Sequence, residues 1–344
     1  MISAGDLQVT ELERAAALAE PGVRPALFAL PVVDYQEHPA YQEGRGDREL
    51  RRRAVDMMYG VYRDVRVREA RPIRRGKRLE DDLDRRFNAR GVLGLTMPEG
   101  PYLRLQGLMQ PHIEALRRVT TNFIANNKPI KFRDSSREIS PAGMAEEFAA
   151  VVACLEDAGV LQRVARYFRA PQAVVHHVAL RDNLKDEAWT RVFKDLKWPA
   201  PPLTGMHIDS GTAPYVKILI YLNEVGPKQG PFSYVPGSHR WRQSTFDVCV
   251  RKAIDRTKLS SRKPHYRALF SALPPVLQRK ADFGADLMPD DPQVAPILAE
   301  EKTFTSDKGN AVLFDPQGMH RGGYVKRGYR SVLQITMKAT FTPA

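Results

Sequence analysis

The spacing of apolar residues changes about half-way along the chain. Before residue 170 they recur every three or four positions; after it they alternate or run together. The first pattern is that of helices with one buried face, the second that of strands. Over 104–127, Leu105, Leu108, Ile113, Leu116, Val119 and Phe123 predict a helix. Over 141–168, Phe148, Val151, Val152, Leu155, Val160, Leu161, Val164 and Phe168 predict a second. Ser140 suits its cap, Pro141 its first position, and Gly159 marks a break. Nearer the start, Leu7–Leu18 and residues 46–62 read as shorter helices, and Val65–Arg68 alternates like a strand. Between those helices, Pro21, Pro25, Pro31 and Pro39 impose extended or irregular backbone.

Strand signals begin at Ala173. Val174–Arg181 and Tyr215–Leu222 are rich in β-branched and aromatic residues. A short helix is expected over 186–195, ended by Pro199, Pro201 and Pro202. The turn Gly226–Gly230 returns the chain as Phe232–Val235. Ala311–Phe314 follows the turn Lys308-Gly309-Asn310, and Ser331–Phe341 is the last strand. Residues 243–305 interrupt the strands, with helical patterns at Phe246–Ile254 and Tyr266–Ala281. Helices first and strands after, with Gly/Pro turns, argue for the α+β class. The expected core is a double-stranded β-helix (jelly roll) with flanking N-terminal helices and a helical insert between core strands. The expected organisation is a basic N-terminal extension, 1–100, packed on a domain of 101–344.

Composition narrows the picture. With 344 residues, 43% of them hydrophobic, the chain is long enough for a sizeable core. No apolar run approaches the length of a membrane span, and Met1–Asp6 lacks the basic start and apolar core of a secretion signal. Two cysteines, Cys154 and Cys249, make no disulfide framework; the expectation is two reduced thiols in the cytoplasm. A net charge of +13 favours acidic partners. The densest basic run, Arg45 to Arg90, is interleaved with Glu80, Asp81, Asp82 and Asp84 and poor in aromatics. That reads as a solvated face with internal ion pairs and argues against nucleic acid as a partner.

The candidate chemistry lies in the strand-rich half. His207 and Asp209 are two residues apart, so in an extended segment they share a face and can close on one metal ion. His320, far downstream, can supply a third ligand. Two imidazoles and a carboxylate on one face of an octahedral ion leave three positions open, which is the ligand set of non-haem Fe(II) oxygenases. Alone, His-x-Asp is a weak signal, because most such pairs are an ordinary histidine beside an ordinary aspartate. Three features add weight, one being that the segments between read as β-strands. Gly230-Pro231-Phe232-Ser233-Tyr234-Val235-Pro236-Gly237-Ser238-His239-Arg240 follows Asp209 at hairpin distance, and Arg330 follows His320 by ten residues. His176 and His177 are adjacent in a strand and point to opposite faces, so at most one can face a central site. Ser238 and His239 are read as holding the Pro-Gly turn.

In this order the motifs resemble the phytanoyl-CoA dioxygenase family of Fe(II)/2-oxoglutarate-dependent oxygenases, over roughly residues 170–344. The resemblance implies iron held by His207, Asp209 and His320, with 2-oxoglutarate and O2 filling the open positions. It implies that Arg330 binds the far carboxylate of 2-oxoglutarate, whose planar fork suits a carboxylate. Lys217, Leu219 and Tyr221 alternate on one face, and Tyr221 is the expected hydrogen-bond donor to the co-substrate. Many relatives carry a hydroxyl two residues after the arginine; Val332 stands there, leaving the second partner of that carboxylate open. The carboxylate of Asp209 favours hydroxylation over halogenation. The implied substrate is a small molecule, and the basic character of 45–90 and of the insert, a candidate lid, favours an anionic or carrier-bound one. Two other readings stay open: a cupin-type metal enzyme without need of Arg330, and a basic non-catalytic nucleic-acid binder without need of His207.

Overall fold

The computed structural model describes residues 81–126, 132–184, 206, 207, 209, 215–240 and 294–340. The helices expected at 7–18, 46–62, 186–195, 246–254 and 266–281, and the strand at 65–68, lie outside them, as does Cys249.

The first helix, α1 (Asp82–Arg90), starts where the Asp81 side chain accepts from the Asp84 amide at 2.7 Å. It stops at Gly91, whose φ of +71° makes a left-handed cap. The second, α2 (Glu99–Ala125), buries Leu105, Met109, Ile113 and Leu116. It begins earlier than its apolar stripe suggests, with Tyr102 of its first turn packed against the core. The helix expected over 141–168 is two, α3 (Ala145–Asp157) and α4 (Val160–Phe168), separated at Gly159 with φ +65°. Ser140 does not cap α3 with its side chain. Its carbonyl instead accepts from Gly143 at 3.3 Å and Met144 at 2.8 Å, closing a turn that delays the helix. The last described helix is α5 (Val294–Glu300).

The described residues hold nine strands, in chain order β1 (Val92–Leu95), β2 (Ser136–Ile139), β3 (Gln172–Leu184), β4 (Tyr215–Tyr221), β5 (Phe232–Tyr234), β6 (Lys302–Phe304), β7 (Ala311–Phe314), β8 (His320–Gly322) and β9 (Tyr329–Thr340). They form a six-stranded sheet, β1-β7-β4-β9-β3-β2, and a three-stranded sheet, β6-β5-β8, both antiparallel. Two boundaries differ from expectation. Val92–Leu95, assigned above to the N-terminal extension, pairs with β7 as an edge of the large sheet. Lys302–Phe304, assigned to the insert, pairs with β5. Both runs are short, so alternation alone gives little signal.

Alternation along β4 separates two cores. Val216, Ile218 and Ile220 face α2, α3 and α4 in the larger apolar cluster, with Leu333, Ile335 and Met337 of β9 beside them. Tyr221 faces the other way and packs with Phe232 and Tyr234 of the small sheet, Val312, Phe314 and Val332. Each fully buried aliphatic chain contributes about 1.5–3 kcal/mol. The helix layer therefore backs the large sheet, and the small sheet covers its opposite face.

Charged side chains fasten the helices. Asp84, 3% exposed, accepts from Arg163 and from Arg166 Nε at 2.6 Å, and Asp81 takes a second bond from Arg163 at 3.0 Å. These partners come from α4, outside the basic run; within the run, Arg85 lies 3.6 Å from Asp82 on the surface. Arg117 of α2 grips the fully buried Asp182 of β3 with Nε and Nη2, each at 3.0 Å. Ser331 Oγ donates to the same carboxylate at 2.5 Å. Cys154 is a free, buried thiol. No described helix is long and apolar enough to cross a membrane.

Candidate metal and co-substrate site

His320 opens β8, and the turn before it is tightly fastened. The Asp315 amide donates to the Gly91 carbonyl at 2.8 Å. The Asp315 carboxylate accepts from Tyr167 Oη at 2.7 Å and from the Gln317 amide at 2.8 Å. Tyr234 Oη donates to the Asp315 carbonyl at 2.9 Å. Ser238 Oγ donates to the Val235 carbonyl at 2.6 Å and accepts from the Met319 amide at 2.8 Å. Ser238 thus holds its own turn, as expected, and also the residue before His320. His239 likewise holds the turn to the rest of the fold, bonding through Nε2 to the Asn88 carbonyl at 3.2 Å.

His320 is 4% exposed, against the rings of Phe314 and Phe232 at 5.0 and 5.8 Å. Its Nδ1 lies 2.8 Å from the Gly318 carbonyl. A carbonyl only accepts, so Nδ1 carries the proton, the tautomer in which Nε2 is the ligating nitrogen of a histidine. His207 Nε2 lies 3.7 Å from Asp209 Oδ1. One ligand atom from each of His207, Asp209 and His320 lies within 4.8 Å of the other two, the one such group among the described residues. The donor set suits a ferrous ion. His176 and His177 take no part in it. A register shift at this point of β3 leaves both exposed, His176 beside Lys338 Nζ at 2.7 Å and His177 at 3.9 Å from Glu138.

Arg330 lies opposite Asn183 in the β3–β9 pairing. Its Nη1 donates to the carbonyls of Gly230 and, at 3.3 Å, Gly323; its Nη2 donates to Asn183 Oδ1 at 3.1 Å. The two carbonyls reach it because Gly230 and Gly323 pack backbone to backbone. A Cβ on Gly230 would meet the Gly323 oxygen at 2.5 Å. A guanidinium has five N–H donors. Nε is buried without a partner, and Nη2 has one partner for two hydrogens. Burial pulls the Arg330 pKa down from its ordinary value, and no carboxylate of the described residues pairs with it. A half-buried cation with a buried Nε and two hydrogens uncommitted among the described residues fits an incoming carboxylate.

Tyr221 is fully buried, but its hydroxyl is already committed. It donates to the Phe304 carbonyl at 2.8 Å and accepts from the Phe232 amide at 2.9 Å. In place of the co-substrate contact expected from the sequence, this residue bolts the large sheet to the small one. The only proton of the phenol is used in this link.

The sequence profile described as phytanoyl-CoA dioxygenase (PhyH) matches residues 102–326. The chain belongs to this family. Phytanoyl-CoA dioxygenase family members are Fe(II)/2-oxoglutarate-dependent oxygenases, so iron is the cofactor and 2-oxoglutarate the co-substrate that the site has to accommodate. No curated protein matches the chain. Solved structures similar to it include EctD from S. alaskensis with 2-oxoglutarate and 5-hydroxyectoine, at 15% identity, covering 79% of this chain and 82% of that one, TM-score 0.44. HygX from Streptomyces hygroscopicus with iron bound is similar at 16% identity, covering 77% and 88%, TM-score 0.44. AviO1 from Streptomyces viridochromogenes Tue57 is similar at 16% identity, covering 76% and 96%, TM-score 0.40.

A cavity of about 350 Å³ opens elsewhere, between the edge strands β1 and β6. Arg86, Arg90 and Lys302 line it with Glu300, Val92 and Phe304. None of His207, Asp209 and His320 lines it. Sequence reasoning missed Asn183 and the Arg117–Asp182 pair behind it. Nothing in the spacing of Arg117 or Asp182 connects them; only the packing of α2 on β3 does.

Proposed function

We propose that this chain is an Fe(II)/2-oxoglutarate-dependent hydroxylase of a small, anionic or carrier-bound molecule, with His207, Asp209 and His320 as the iron ligands. The observation that carries the reading is the approach of those three ligand atoms within 4.8 Å of one another, in a chain of this family. Bound there, iron with 2-oxoglutarate and O2 supplies the oxidising power for one C–H bond of the substrate, with release of succinate and CO2.

The protein's own part is to hold and orient. The Gly318 carbonyl fixes the tautomer of His320, and the Ser238 and Asp315 bonds fix its position. Arg330 offers its uncommitted Nε and Nη2 hydrogens to the far carboxylate of 2-oxoglutarate, which orients the opposite end of the co-substrate. The apolar rings of Phe232, Phe314 and Tyr234 beside His320 limit water there. Asp209, as a full carboxylate in the ligand set, favours oxygen transfer over chloride transfer. The net charge of +13 supports an anionic substrate.

The test is succinate formation from 2-oxoglutarate by the purified protein. It should require Fe(II) and O2, and His320→Ala should abolish it. Undiminished succinate formation by His320→Ala would contradict the ligand assignment. For the substrate class, anionic candidates should show a Michaelis constant that rises with salt.

A further inference from the structure

Arg330 leaves two hydrogens for an anion whose two oxygens offer about four acceptor sites. A buried carboxylate takes more donors than that, and the described neighbours of Arg330 supply few. Gly230, Gly322 and Gly323 have no side chains, and Val332, the next residue on the Arg330 face of β9, is apolar and 3% exposed. Asn183 is different. Its Oδ1 must be the atom facing Arg330, because a guanidinium only donates. That fixes which way the amide is turned and leaves both Nδ2 hydrogens without an acceptor among the described residues. The residue is half-buried, and its position is set from behind. The neighbouring Asp182 is held by Arg117 at 3.0 Å and by Ser331 at 2.5 Å.

We propose that Asn183 is a second co-substrate-binding residue: Oδ1 orients Arg330, and Nδ2 donates to the far carboxylate of 2-oxoglutarate. This rests on the reading that Arg330 binds that carboxylate. Asn183 would then fill the place left empty by the apolar Val332, from the neighbouring strand. The amide also adds selectivity. It rewards a 2-oxo acid with a distal carboxylate and does nothing for one without it.

The test is an anaerobic titration of the Fe(II) protein with 2-oxoglutarate and, separately, with pyruvate, which lacks the distal carboxylate. Binding is read from the visible charge-transfer absorption of the iron–oxo-acid chelate, and iron affinity is titrated beforehand. Asn183→Ala should weaken 2-oxoglutarate about tenfold, as expected for one lost charge-assisted hydrogen bond, and leave pyruvate and iron affinities unchanged. Asn183→Asp keeps an acceptor for Arg330 but replaces the donor by a negative charge. It should weaken 2-oxoglutarate far more than Asn183→Ala does, with no loss of thermal stability. Unchanged 2-oxoglutarate affinity in Asn183→Ala would overturn the proposal. So would equal weakening of 2-oxoglutarate and pyruvate, which marks a structural effect. A wild-type protein that binds iron but gives no 2-oxoglutarate signal would instead overturn the co-substrate reading itself, and this proposal with it.

Discussion

Ser238 Oγ accepts from the Met319 amide at 2.8 Å, one residue before His320, while giving its proton to the Val235 carbonyl at 2.6 Å. A hydroxyl that is 5% exposed therefore joins the Pro-Gly turn to the strand carrying His320, the proposed iron ligand. Ser238→Ala leaves a buried amide without an acceptor and should cost about 1–3 kcal/mol of stability in urea unfolding. Because the lost bond orients a ligand, iron should bind at least about tenfold more weakly. Wild-type iron affinity in this variant would separate the turn from the metal site.

Gly318 and Gly107 should respond to alanine in opposite directions. A Cβ on Gly318 would fall 1.8 Å from Tyr234 Oη, beside a hydroxyl pinned to the Asp315 carbonyl. Gly318→Ala must displace the turn before His320 and should destabilise by about 1–3 kcal/mol. Gly107 lies inside α2 with nothing within 4 Å of its Cβ position, so Gly107→Ala should stabilise by roughly 0.5–1 kcal/mol. Thermal unfolding of the two variants side by side checks both signs.

Asp182 is fully buried and Arg117 about a third exposed, and the pair joins α2 to β3. Removing the carboxylate leaves a partly exposed guanidinium above the Tyr329 ring, with its centroid 3.6 Å away. Asp182→Ala should cost about 1–3 kcal/mol. Arg117→Met with Asp182→Leu, which removes both charges, should recover much of that loss. Urea midpoints for the single and double variants decide this.

Acid should weaken the α1 end of the fold. The Arg163 side chain, with the Asp84 amide, holds the Asp81 carboxyl at about 2, against an ordinary 3.8. The folded state thus binds fewer protons than the unfolded state between those values. Its advantage is complete above pH 3.8 and is lost as the pH falls towards 2. Asp81 is 46% exposed, so the effect is a modest slope in the unfolding midpoint. Asp81→Asn should flatten that slope and leave the midpoint at neutral pH only slightly lower.

What the sequence made legible follows from how local each signal is. The stripes of α2, α3 and α4 and the alternation of β4 and β9 are properties of neighbouring residues, and the structure has those elements. The short strands β1 and β6 carry too few positions to alternate, so spacing alone does not reveal them. Tyr221 shows the limit at the site. Its strand and face were readable, but the partners of its hydroxyl, Phe304 and Phe232, come from the other sheet. Asn183 was invisible for the same reason, since it meets Arg330 only through the β3–β9 register.

The central claim is that His207, Asp209 and His320 hold iron and Arg330 holds 2-oxoglutarate. Anaerobic absorption spectroscopy of the Fe(II) protein, before and after addition of 2-oxoglutarate, tests both halves without knowledge of the substrate. The account predicts a weak visible charge-transfer band in wild type, lost in His207→Ala and weakened in Arg330→Ala. Iron bound without any band on addition of 2-oxoglutarate, or a band of full intensity in His207→Ala, would contradict it.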